Sequence, residues 1–196
     1  MTKNRYEETT MRYVILRDLE QVFGVNKSKL WTEVNLSLNF FVPRAKFCRL
    51  DFMGEKSNAT FVIESKLYTY PQNIGFALGQ IFVYYSLIKD YDRPIYHNSG
   101  GKIEAHDNLY PFICFNAFDN EWSQWGETED RLVQNFNKNF KVGVLLMRVK
   151  PKGDVTKPDD LFITCRIDPF GLFPENDIKR NTAFNSGKII CRGMSG

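Results

Sequence analysis

An α/β fold, with a mixed central β-sheet flanked by helices, is what this chain predicts, and three observations carry the prediction. Apolar residues recur at three- and four-residue steps near the start (Met11, Val14, Ile15, Leu19, Val22, Phe23) and again from Ile74 to Ile88. That is the period of a helix with one buried face. Between these stretches the period falls to two, with Val34, Leu36, Leu38, Phe40 and Val42 alternating with other residues, as in a half-buried strand. The continuous apolar run Phe61-Val62-Ile63 reads as a strand covered on both sides.

A length of 196 residues is most simply one domain, 1–196, with one core. Hydrophobic residues make up 43% and charged residues 25%, the balance of a soluble globular protein. Seventeen Phe and nine Tyr point to an aromatic-rich core. The net charge of +3 allows a nucleic-acid partner through a local basic patch without arguing for one. No apolar run has the length of a membrane span, and the first residues lack the apolar core of a signal peptide, so the expectation is a cytoplasmic protein with no membrane partner. Cys48, Cys114, Cys165 and Cys191 are scattered. None has metal-ligand spacing to another, which reads as reduced, buried thiols.

Taken in order, residues 7–23 predict the first helix, stopped by Gly24. A strand runs from 33 to 42, ended by Pro43; Glu33 either opens it or closes a short turn around Leu30 and Trp31. Residues 45–53 predict a second strand, with Cys48, Leu50 and Phe52 on one face and Arg49, Asp51 and Met53 on the other. Gly54 to Asn58 reads as a turn, and residues 59–67 as a third strand, making a hairpin. With its centre near residues 56 and 57, Asp51 pairs opposite Val62 or Glu64, so the two acids are direct or diagonal neighbours. Residues 73–89 predict a second helix with Ile74, Ala77, Leu78, Ile81, Phe82, Tyr85 and Ile88 as its apolar stripe. Gln80 and Tyr84 are one turn apart on it. Further strands are expected at 94–97, 110–116, 142–149 and 161–167, and a third helix at 127–138. The tail from Lys179 is basic.

The stretch from Arg49 to Tyr84 carries the chemistry. Phosphodiester hydrolysis needs an activated water and a place for charge developing on phosphate, and a divalent cation held by carboxylates supplies both. Mg²⁺ keeps several waters, so two carboxylates and a backbone carbonyl suffice. Asp51 and Glu64 are the candidate carboxylates and the Ser65 carbonyl the candidate third ligand. Lys66 projects in the same direction as Glu64, because strand side chains repeat every two residues, and is placed to act on water or phosphate. Arg44, Lys46 and Arg49, with Lys150 and Lys152, are candidates for tracking phosphates. His97, His106, Trp122, Trp125, Tyr68 and Tyr70 have readings in packing or polar loops at least as good as any in catalysis.

This arrangement resembles the PD-(D/E)XK nuclease superfamily over roughly residues 30–90. Glu33 stands where many members have an acid before the first core strand. Asp51 stands for the motif aspartate, although Leu50 replaces the usual proline. Glu64-Ser65-Lys66 matches E-x-K, and Gln80-Ile81-Phe82-Val83-Tyr84 matches the Q-x-x-x-Y helix motif of one branch. The resemblance implies a restriction-endonuclease-like core and a Mg²⁺- or Mn²⁺-dependent deoxyribonuclease. Glu33, Asp51, Glu64 and the Ser65 carbonyl would serve the metal, Lys66 would assist, and Gln80 and Tyr84 would form a supporting wall. DNA is the implied partner, and a homodimer is one expected state because two strands are often cut by two copies. The alternative is an inactive nucleic-acid-binding or assembly module on the same fold. Residues 91–196 match no family pattern.

Overall fold

The computed structural model describes residues 2–37, 47–67, 70–89, 95–96, 101–118 and 124–173. Its elements in chain order are α1 (Thr2–Gln21), β1 (Leu30–Ser37), β2 (Phe47–Lys56), β3 (Ala59–Lys66), α2 (Pro71–Lys89), β4 (Ile95–Tyr96), β5 (Lys102–Ile103), β6 (Leu109–Asn116), α3 (Glu127–Phe136), β7 (Gly143–Val149) and β8 (Leu161–Ile167). The strands form one mixed sheet in the order β5-β4-β1-β2-β3-β6-β7-β8. The β3–β6 and β6–β7 pairs are parallel and the others antiparallel. The α/β class and mixed sheet expected from the sequence are therefore present. The two-residue strand β5 was not foreseen, and β1 begins at Leu30 rather than Glu33. The second half of the expected first strand lies outside the described residues.

The parallel pairs arise where a helix makes the crossover, α2 between β3 and β6 and α3 between β6 and β7. Two crossovers of the same hand stepping the same way put both helices on one face. Accordingly, Ile74, Ile81, Tyr84 and Leu87 of α2 and Val133 of α3 share a core with Val34, Leu50, Met53, Val62, Ile113 and Leu146. α1 covers the opposite face. Its Met11, Val14, Ile15 and Leu19 pack with Phe52, Phe61, Ile63, Phe112, Leu145 and Cys165, and Leu172 and Phe173 complete that layer. The aromatic wealth is spent here: the Phe173 ring lies 5.0 Å from those of Phe23 and Phe112 and 5.3 Å from that of Phe61.

Polar contacts fix how the helices sit. α1 ends where Gly24 adopts φ +68°, a region costly for residues with a Cβ, and Val25 N–H then donates to the Leu19 carbonyl at 2.8 Å. Near that end the buried Asp18 carboxylate accepts the Ile163 N–H at 2.6 Å, and the Arg17 guanidinium donates to the carbonyls of Pro158 (2.8 Å) and Leu161 (2.6 Å). α3 is tied down by Asp130, which accepts two bonds from Arg166 (3.2 and 2.5 Å) and one from the Trp125 indole (2.6 Å). Burial pushes the Asp130 carboxyl up, but the hydrogen bonds from Arg166 and Trp125 outweigh it and hold the group below the usual carboxylate range. Trp125 is thus a packing residue. Trp122, His97 and Tyr68 lie outside the described residues.

The β2–β3 hairpin turns tightly at Ser57 (φ 52°) and Asn58 (φ 59°), the paired positive φ of a two-residue turn. Gly54, expected in that turn, is inside β2. A Cβ there would fall 2.3 Å from the Phe61 ring opposite, so the glycine gives Phe61 room to lie flat across the strand. The turn sets the register, from Lys56↔Ala59 to Phe52↔Ile63.

The expectation that Leu50 and Phe52 share a face is corrected. Leu50 and Met53 pack on the α2 side, whereas Phe52 packs on the α1 side. Strict alternation cannot place residues three apart on one face, so β2 breaks step between them, where Asp51 sits. β1 does the same: Trp31 and Val34 both pack on the α2 side. The break there holds Glu33, whose φ is +51°. The register Thr32↔Phe52 and Val34↔Leu50 sets Glu33 opposite Asp51. The two strands change step together, as neighbours in one ladder must.

Candidate metal centre

β3 holds the centre of the sheet, and its C-terminal end carries Glu64, Ser65 and Lys66. Beyond the last ladder pair, Phe52↔Ile63, Asp51 and Glu64 are the next residues of the two strands, which makes them cross-strand neighbours. Asp51 Oδ2 accepts the Ser65 backbone N–H at 2.9 Å and the Ser65 hydroxyl at 2.7 Å. The Asp51 carboxylate thereby replaces the backbone acceptor that the ladder would offer. Asp51 Oδ1 receives no hydrogen bond among the described residues. In a strand, a residue's N–H and C=O leave on the same side, so the Ser65 carbonyl faces the β2 side too, beyond the end of the ladder.

Glu64 is 2% exposed. Its Oε1 accepts from the Lys66 ammonium at 2.6 Å. Its Oε2 is, among the described residues, the one buried side-chain oxygen or nitrogen lacking a hydrogen-bond partner. Burial first, and the Asp51 charge second, raise the Glu64 carboxyl from its ordinary 4.5 to about 7, although Lys66 pulls it down. An unpaired buried carboxylate oxygen costs free energy, and the Asp51 charge adds repulsion. A cation beside Oε2 would relieve both.

α2 closes the centre from one side. The Gln80 amide lies 3.4 Å from the Tyr84 hydroxyl, and that hydroxyl donates to the Arg49 carbonyl at 3.1 Å. Tyr84 is buried, and its phenol is pushed upward by burial and then by the Glu64 charge, so it stays a neutral donor. Here the expected stripe of α2 is corrected: Tyr84 and Leu87 face the core, while Phe82 is half exposed. Tyr84 is drawn in because its ring fills the core while its hydroxyl finds a carbonyl at the rim.

The remaining candidates divide. Glu33 stands opposite Asp51, but its Oε1 is held by Arg12 at 2.8 Å and Arg49 at 3.5 Å. Direct ligation would require those pairs to open. Lys150 and Lys152 follow β7, whose C-terminal end lies at the same end of the sheet as Lys66 through Lys66↔Phe115↔Leu146. Leu146 itself is two strand spacings from Lys66, about 10 Å, and Lys150 and Lys152 lie four and six residues further along the chain. Arg44 and Lys46 lie outside the described residues. His106 sits elsewhere, with its N–H on the Thr60 hydroxyl and its ring 3.4 Å from Glu55. Sequence reasoning missed two residues, the Ser65 side chain and Arg12. Neither leaves a signal along the chain, because each acts through a partner, Asp51 or Glu33, that only the register or the helix docking brings near.

Among the described residues no three His, Cys, Asp or Glu side chains gather as an all-protein metal cage would. The candidate donors, two carboxylates and a carbonyl, are hard oxygens that would suit Mg²⁺ or Mn²⁺ with water completing the shell. The orphaned Oε2 of Glu64 is the observation by which these residues fit such an ion. No protein-family model, curated protein or solved structure matches this chain.

Proposed function

We propose that this protein is a Mg²⁺- or Mn²⁺-dependent nuclease of the PD-(D/E)XK type that hydrolyses phosphodiester bonds in DNA. The single observation that carries the reading is Glu64: a buried carboxylate beside Asp51, with one oxygen on Lys66 and, among the described residues, the other without a partner. Asp51, Glu64 and the Ser65 carbonyl would hold the ion, which when bound supplies an acidified water and stabilises charge on the phosphate.

The chain's own groups do the rest. Ser65 fixes one oxygen of Asp51, leaving the other to ligate. Lys66, on the face of Glu64 and 29% exposed at its side chain, reaches solvent and has an ammionium free to turn from Glu64 to an incoming phosphate oxygen or water. Tyr84 and Gln80 hold the Arg49 carbonyl and so the end of β2 that carries Asp51. Lys150 and Lys152 belong to the phosphate-tracking side of this reading. Sharing of a duplex between two copies belongs to it as well, as does a cytoplasmic location; no helix of the described residues is long and apolar enough to cross a membrane.

A second reading, an inactive nucleic-acid-binding or assembly module, draws on the Glu33 pairs with Arg12 and Arg49, which occupy one expected ligand. The deciding experiment incubates linear, circular, single-stranded and branched DNA with the protein and Mg²⁺ or Mn²⁺, beside Lys66→Ala and Asp51→Asn. Metal-dependent products lost in both variants support the nuclease. DNA binding without cleavage in any metal supports the module.

A further inference from the structure

The outer face of α2 is apolar where a surface helix is normally charged. Between Pro71 and Ile88 the helix holds no charged residue at all. Phe76, Phe82 and Val83 stand 58%, 48% and 48% exposed, three of the seven large hydrophobic side chains exposed among the described residues. Gly75 and Gly79 are exposed on the same face, and no atom lies within 4 Å of where a Cβ would be on either. A glycine inside a helix costs roughly 1 kcal/mol against alanine. Nothing among the described residues requires these two.

We infer that this face is the contact between two copies of the chain, packed antiparallel about a two-fold axis at Gly79. The stripe reads the same in both directions from that residue. Rotation about Gly79 sets Gly75 against Val83 and Phe76 against Phe82, with Gln72 and Ser86 at the polar ends. Each large side chain then meets either a glycine hollow or an aromatic ring, and every contact occurs twice, as an isologous interface demands. Phe82 is already propped edge-on by Phe140, with ring centroids 5.0 Å apart, so little of its freedom remains to be lost. Three half-exposed side chains of this size offer about 250 Å² of apolar surface, with the glycine backbone between them in addition. A standard interface buries roughly 450 Å² of apolar surface per partner. The stripe supplies the centre of a small interface, one that forms at micromolar rather than nanomolar concentration.

The inference stands on α2 alone and not on the proposed chemistry, and its test reads mass rather than cleavage. Sedimentation of the full chain from about 1 to about 200 µM should show a monomer–dimer equilibrium. Phe76→Asp should shift the midpoint at least tenfold upward while circular dichroism and melting stay as in the wild type, since the side chain is solvent-exposed. Under mild oxidation Gly79→Cys should form a covalent dimer, whereas Gln72→Cys, about 21 Å from its own copy in this packing, and the wild type should not. A chain that stays monomeric throughout overturns the inference. So does a dimer indifferent to Phe76→Asp, which would place the contact elsewhere.

Discussion

Replacing Glu64 by glutamine should stabilise the metal-free protein at high pH and do so progressively less as pH falls. The folded environment raises the Glu64 carboxyl from the ordinary 4.5 to about 7. A carboxyl raised in this way favours the fold fully below its unfolded value, and that contribution is gone once pH has risen through the folded one. At about 1.4 kcal/mol for each tenfold change, the difference comes to about 3 kcal/mol lost between about pH 4 and about pH 8. In a chain of this size that corresponds to about 6–12 °C in Tm. Glutamine keeps the shape and the oxygen facing Lys66 but carries no charge to desolvate. It does set an amide where Oε2 lies, which shifts its stability by an amount independent of pH. The measurement is therefore the change in the gap: urea or thermal melts of wild type and Glu64→Gln from pH 4 to pH 8 with chelator present. The variant should gain on the wild type as pH rises, and Mg²⁺ should restore stability to the wild type alone. Two curves that run parallel over this range would refute the account of Glu64 as a buried, under-compensated carboxylate.

Ser65→Ala removes the hydroxyl that holds Asp51 Oδ2 but keeps the backbone bond. Mn²⁺ affinity, read by electron paramagnetic resonance, should fall about tenfold, the order of one lost charge-assisted hydrogen bond, and Ser65→Thr should recover most of it. Gly54→Ala drives a Cβ into the Phe61 ring and should cost about 1–3 kcal/mol in chemical denaturation. Asp130→Ala removes the carboxylate that Arg166 and the Trp125 indole donate to. It should cost about 2–4 kcal/mol in denaturation, with amide exchange rising first in α3.

Periodicity and turn signals yielded the three helices, the five longer strands after β1, and the hairpin that brings Asp51 and Glu64 near each other. These follow from apolar spacing and from a short turn, which are properties of neighbouring residues. The E-x-K face was legible for the same reason, since Glu64 and Lys66 lie two apart on one strand. What lay beyond the sequence depended on residues far apart along the chain. Gly54 looked like a turn residue until Phe61 came to lie over it. Tyr84 lay outside the apolar stripe expected of α2 until its hydroxyl met the Arg49 carbonyl and its ring entered the core. The common change of step at Glu33 and Asp51 exists only because two strands must remain in register. The unpaired oxygen of Glu64 exists only because burial removed its water while the fold supplied a single cation, Lys66, to its other oxygen. Local pattern chose the elements and the residue types; the packing of strands and helices from distant parts of the chain decided which polar atoms were left with something to bind.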